Sequence, residues 1–109
     1  MKLQNTLPRT RLPGSPGGVR HRVALDSGEH LLFMLHTVSA DFQELNVMLE
    51  TEGPTRTWIR GPKILTVSTP GLCAASLTCP IAQRVRVELV VRSERGGWAE
   101  VEGWEALEE

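Results

Sequence analysis

The chain has 109 residues, 40% apolar and 23% charged, with a formal net charge of −1. That length makes one domain able to bury a core without staples, and no stretch approaches the roughly 18 apolar residues of a membrane span. The small net charge conceals a separation: Lys2, Arg9, Arg11, Arg20 and Arg22 precede the first acid, Asp26, whereas Glu94, Glu100, Glu102, Glu105, Glu108 and Glu109 face Arg95 alone at the other end.

The first segment holds Pro8, Pro13, Pro16, Gly14, Gly17 and Gly18. Proline removes backbone donors and glycine raises the entropic cost of order. Residues 1–18 are therefore expected to form a basic, extended and mobile N-terminal arm, ahead of a folded domain over residues 19–109. Met1–Arg22 contains no apolar run of the kind a secretion signal needs. Cytoplasmic synthesis is expected, with the protein kept there or built into a larger assembly such as a virion.

Val19–Leu25 alternates, with Val19, His21, Val23 and Leu25 on one face and Arg20, Arg22 and Ala24 on the other. Asp26–Glu29 reads as a turn. His30–Val38 is almost continuously apolar and predicts a central strand covered on both faces. Gln43–Thr51 alternates again, placing Leu45, Val47 and Leu49 inward. Thr55–Arg60 and Lys63–Thr69 read as two strands separated by a Gly61-Pro62 turn. Leu72–Pro80 reads as a loop. Ile81–Arg92 has the clearest alternation, with Val85, Val87, Leu89 and Val91 inward. Trp98–Trp104 is the last strand, before a frayed acidic end.

This order gives about seven antiparallel strands with turn signals every 8–12 residues, the pattern of an all-β sandwich. A jelly-roll-like or immunoglobulin-like topology is expected, and strand order does not follow from pattern.

Chemistry-bearing residues are few. Cys73 and Cys79 could close a local disulfide in an oxidising medium or stay as two buried thiols in a reducing one. His21, His30 and His36 lack the further ligands a metal site needs, so neither metal nor cofactor is expected. Glu50/Glu52 and Glu100/Glu102 are spaced as a glycosidase's carboxylates would be, yet they fall on solvent-facing strand positions. No nucleophile elbow or phosphate loop accompanies them, and the chain reads as a non-enzyme. Trp98 and Trp104 share one strand face with Glu100 and Glu102. Such rings serve either as a stacking platform for a sugar or as anchors of a subunit interface.

The sequence thus points to a structural or assembly subunit, oligomeric or attached to a scaffold, of the kind used in a capsid, decoration or tail. Leu3, Leu7 and Leu12 would fill grooves on a neighbour. Arg9 and Arg11 would pair with acids such as Glu100, Glu102 and Glu105. A carbohydrate-binding module built on Trp98 and Trp104 is the alternative. A nucleic-acid-binding arm is a weaker third reading, because the net charge is slightly negative and the aromatic residues lie far from the arm in sequence.

Overall fold

In the computed structural model, which describes residues 2–25, 31–41, 44–77 and 84–107, the alternating segments become strands. In chain order they are β1 (Lys2–Pro13), β2 (Val19–Leu25), β3 (Leu31–Asp41), β4 (Glu44–Glu52), β5 (Trp58–Val67), β6 (Gly71–Leu77), β7 (Val85–Arg92) and β8 (Trp98–Leu107). No helix occurs among the described residues. The strands form two antiparallel sheets of four, ordered β1-β8-β3-β6 and β2-β7-β4-β5. Apart from the consecutive pair β4 and β5, neighbours within each sheet come from distant parts of the chain, which moves repeatedly from one sheet to the other. This is the jelly-roll arrangement, eight strands in two sheets, and it decides between the two expected topologies.

Alternation explains the core. Val85, Val87, Leu89 and Val91 of β7 face inward and are buried, as are Leu45 and Val47 of β4. Phe33 and Leu35 of β3, with Ala99 and Val101 of β8, meet them from the opposite sheet. Each strand contributes every second residue, so two inner faces interdigitate into one apolar layer.

Three sequence expectations are corrected. Residues 2–13 are not a free arm: they form β1 and pair with β8 of the same chain, from Lys2 opposite Leu107 to Pro13 opposite Trp98. Leu12 is 6% exposed within the core, and Leu7 packs against it, so neither is available to fill a neighbour's groove. Proline is tolerated at a sheet edge, where its missing N–H faces away from the ladder. The pairing register slips between Leu7 and Thr10, the stretch that contains Pro8.

The connection after β1 is also ordered. Gly14 N–H donates to Gly97 O at 2.7 Å, and Ser93 N–H donates to Ser15 O at 2.9 Å. Gly18 has φ 90°, a left-handed conformation that glycine adopts without steric penalty. The Pro/Gly-rich stretch is thus the turn that carries the chain between sheets, tied to the β7–β8 connection.

The expected Gly61-Pro62 turn is absent, because β5 runs through it. The irregularity appears instead as register shifts against β4 around Met48, the signature of a bulge. The expected loop at Leu72–Pro80 is strand β6 up to Leu77. Its Ala- and Ser-rich residues are weak strand formers, and unbroken pairing with β3 holds them extended. Cys73 lies on β6, half-buried beside the core. Cys79, and with it the candidate disulfide, lies outside the described residues, as do His30 and the expected Asp26–Glu29 turn.

Candidate interaction surface

The outward face of the β1-β8-β3-β6 sheet carries the residues singled out from sequence. Register places Trp104 between Asn5 and Met34, and Glu102 beside His36. His36 in turn lies opposite Leu72 on β6. Trp104, Met34, His36, Leu72 and Leu3 line a shallow dish of about 340 Å³. Leu72 is 66% exposed and Leu3 58%. Three strands supply the apolar walls beside Trp104: β1 gives Leu3, β3 gives Met34 and β6 gives Leu72. Sequence reasoning found the tryptophan but not the dish, because Leu3 and Leu72 fall in segments read as arm and loop.

The polar rim is built from the oppositely charged ends of the chain. Arg9 Nε lies 3.9 Å from Glu102 Oε1, and His36 Nδ1 lies 3.6 Å from the same oxygen. Arg11 sits opposite Glu100 in the ladder, with its guanidinium carbon 3.9 Å from the Trp98 ring centroid, a cation–π distance. Of the two arginines expected to pair with C-terminal acids, Arg9 meets Glu102, within one chain rather than across subunits, and Arg11 stacks on Trp98. Trp98 is covered by Arg11, which leaves Trp104 as the ring open to the dish. Glu105 does not belong to this face. It lies opposite Phe33 with inward parity and is buried, so it cannot serve as an acceptor for a partner.

The outward face of the other sheet is a lattice of arginine and glutamate. Glu88 on β7 is completely buried on that face beneath three half-exposed arginines. Arg22 Nη2 lies 3.2 Å from its Oε2, and Arg60 Nη2 donates to its Oε1 at 3.3 Å. Arg20 Nε lies 3.9 Å from the same Oε1. Glu50 accepts from Arg86 Nε at 3.0 Å, and Glu52 accepts from Arg84 Nη1 at 3.2 Å. The Arg86 guanidinium also covers the Trp58 ring at 3.9 Å. The Glu50/Glu52 pair is thus occupied by charge pairing.

Among the described residues, no group of three or more His, Cys, Asp or Glu is placed to hold a metal ion. No helix there is long and apolar enough to cross a membrane. His21 Nε2 lies 3.3 Å from Pro13 O, at the β1–β2 connection.

No family model matches the sequence, and no curated protein matches it. Solved structures do match in fold. VP2 of infectious bursal disease virus, in a subviral particle, superposes with a TM-score of 0.61 at 15% identity, covering 95% of this chain and 31% of VP2. The Gx strain of the same virus gives 0.53 at 12% identity, covering 95% of this chain and 31% of that one. The endo-1,4-β-D-xylanase 10B of Clostridium thermocellum, as CBM22-1 and GH10 modules complexed with xylohexaose, gives 0.55 at 12% identity. That match covers 98% of this chain and 26% of the xylanase chain. The present chain spans less than a third of either protein, and at these identities the likeness is one of fold.

Proposed function

We propose that this protein is a non-enzymatic assembly subunit that associates with further protein copies through the outward face of its β1-β8-β3-β6 sheet, in a particle of the virion kind. The carrying observation is the character of β3. Its sequence is apolar on both faces, which in a sheet signals cover on both sides. The inner face is covered by the core. The outer face, with Met34 beside Trp104, Leu3 and Leu72, is an open dish to which none of the described residues adds a lid. Burying a leucine side chain contributes about 2 kcal/mol, so covering Leu3 and Leu72 together would favour association strongly. The fold shared with VP2 of a subviral particle is compatible with this use and does not carry the proposal.

Light scattering over a range of protein concentrations tests it. The expected result is a concentration-dependent mass above that of the monomer, with Leu72→Asp weakening association at least tenfold. Tenfold in an equilibrium constant corresponds to about 1.4 kcal/mol, less than the expected burial energy of one leucine. A monomer at every concentration would remove the self-association reading.

A second reading rests on the same ring. Trp104 has an apolar surface with His36 and Glu102 at its rim, the combination of stacking plane and hydrogen-bonding groups that sugars use. The fold shared with a chain complexed with xylohexaose makes that oligosaccharide the first probe. If this reading holds, tryptophan fluorescence shifts saturably on titration with xylohexaose, and Trp104→Ala abolishes the shift. An unchanged spectrum up to millimolar sugar would dismiss this ligand.

A further inference from the structure

A sandwich of two open sheets has four edge strands: β1 and β6 in one sheet, β2 and β5 in the other. Exposed edges are templates for pairing with other chains, and proteins blunt them with charge, proline and bulges. Three of the four edges are blunted here. Strand β1 carries Lys2, Arg9 and Arg11, two prolines and register slips. Strand β2 carries Arg20 and Arg22. Strand β5 carries Arg60, Pro62 and Lys63, with register shifts against β4.

Strand β6 has none of these devices. Its sequence is Gly-Leu-Cys-Ala-Ala-Ser-Leu, without a charge or a proline, and it pairs with β3 in unbroken register from Gly71 to Leu77. Its outward-facing Leu72, Ala74 and Ser76 are exposed, and Leu72 is also a wall of the apolar dish.

We propose that β6 is the seam of a two-fold dimer, in which β6 of one copy pairs antiparallel with β6 of a second copy of this chain. This inference rests on the association reading above and adds to it a contact at the sheet edge, which leaves the outward faces open to further copies. Strand chemistry selects a second copy as occupant. Antiparallel self-pairing about Ala74 sets Leu72 against Ser76 of the second copy, Cys73 against Ala75, and Ala74 against itself. No charge faces a like charge. The same operation on β2 would oppose arginine to arginine, which is destabilising. A two-fold contact must be complementary to itself, and a row of small uncharged side chains meets that condition without clash. Seven residues of strand provide a seam about 23 Å long at roughly 3.3 Å per residue. The dimer axis stands perpendicular to the sheet, so the two four-stranded sheets become one of eight strands. Both dishes then open on the same side of it.

Charge placed at Ala74 gives the test. Ala74 is exposed on the outward face, and a lysine or glutamate there leaves the core untouched. Wild-type protein should scatter as a dimer. Ala74→Lys and Ala74→Glu should each be monomeric under the same conditions and still unfold cooperatively, without the concentration-dependent gain in melting temperature that dimerisation gives the wild type. Mixing the two variants should restore a dimer, because the seam now opposes lysine to glutamate. Rescue on mixing also guards against a variant that merely misfolds. If the wild type associates and both variants associate equally well, the seam lies elsewhere, and only this inference fails. If the wild type stays monomeric at all concentrations, the association reading itself fails, and the seam with it.

Discussion

A chain beginning at Gly14 should lose its cooperative unfolding transition at ambient temperature, or retain one shifted down by tens of degrees. Removing residues 1–13 strips a whole edge strand from β8. It takes Leu12 out of the core and Leu7 off its flank. Each buried leucine contributes about 2 kcal/mol. The lost ladder, the Arg9–Glu102 ion pair and the Arg11–Trp98 contact add to that. A loss of about 5 kcal/mol equals the whole stability of many small domains. A mobile arm predicts the opposite outcome, an unchanged melting curve. Circular dichroism melts of the full and shortened chains separate the two. Retention of the full-length melting temperature would mean that β1 is only loosely docked and that Leu12 contributes little to the core.

The contrast shows where sequence reasoning succeeds in this chain and where it stops. Strands β2, β4 and β7 were legible because each has one face in the apolar core and one in a charged lattice. Period-two patterning is then a direct record of environment. The face shared by Trp98, Glu100, Glu102 and Trp104 was legible for the same reason.

Strand β1 was hidden because proline and glycine ordinarily signal disorder, and at a sheet edge the same residues are permitted or even protective. Strand β6 was hidden because alanine, serine and glycine have little strand preference of their own, and its conformation comes from pairing with β3. The charge separation between the chain ends was visible from the start. Its meaning depended on strand order: the first and last strands are neighbours, so the basic and acidic termini neutralise each other in cis. Strand order is fixed by contacts between residues nearly a hundred positions apart, which local pattern does not encode. The dish around Trp104 was lost with it, since two of its walls come from the two hidden strands.

Glu88 is the other position where local pattern misleads, and it carries the second large expected effect. By parity Glu88 faces outward, where a surface glutamate would tolerate almost any polar replacement. In the fold it has no exposed surface, because Arg20, Arg22 and Arg60 close over it. Its Oε2 accepts no hydrogen bond from the described residues, although the Arg22 guanidinium stands 3.2 Å away. The carboxylate is held mainly by the field of three cations, in a place that water does not reach. Glu88→Lys should therefore be severe. It sets a fourth cation among three, beside a Glu50 already shared by Arg22 and Arg86, and removes the charge that gathers the arginines. Breaking a buried ion pair in this way costs about 3 to 5 kcal/mol.

Glu88→Met separates burial from charge. The arginines it releases are half-exposed and can turn into solvent, so methionine, similar in length, should cost only about 1 to 2 kcal/mol. Urea unfolding of the three proteins measures both differences. A lysine variant no less stable than the methionine variant would mean that the β2 and β5 arginines swing away from β7 freely. Glu88 would then owe its burial to packing alone, and the charged face of the second sheet would be an ordinary solvated surface rather than a lattice held by the buried carboxylates Glu88 and Glu50.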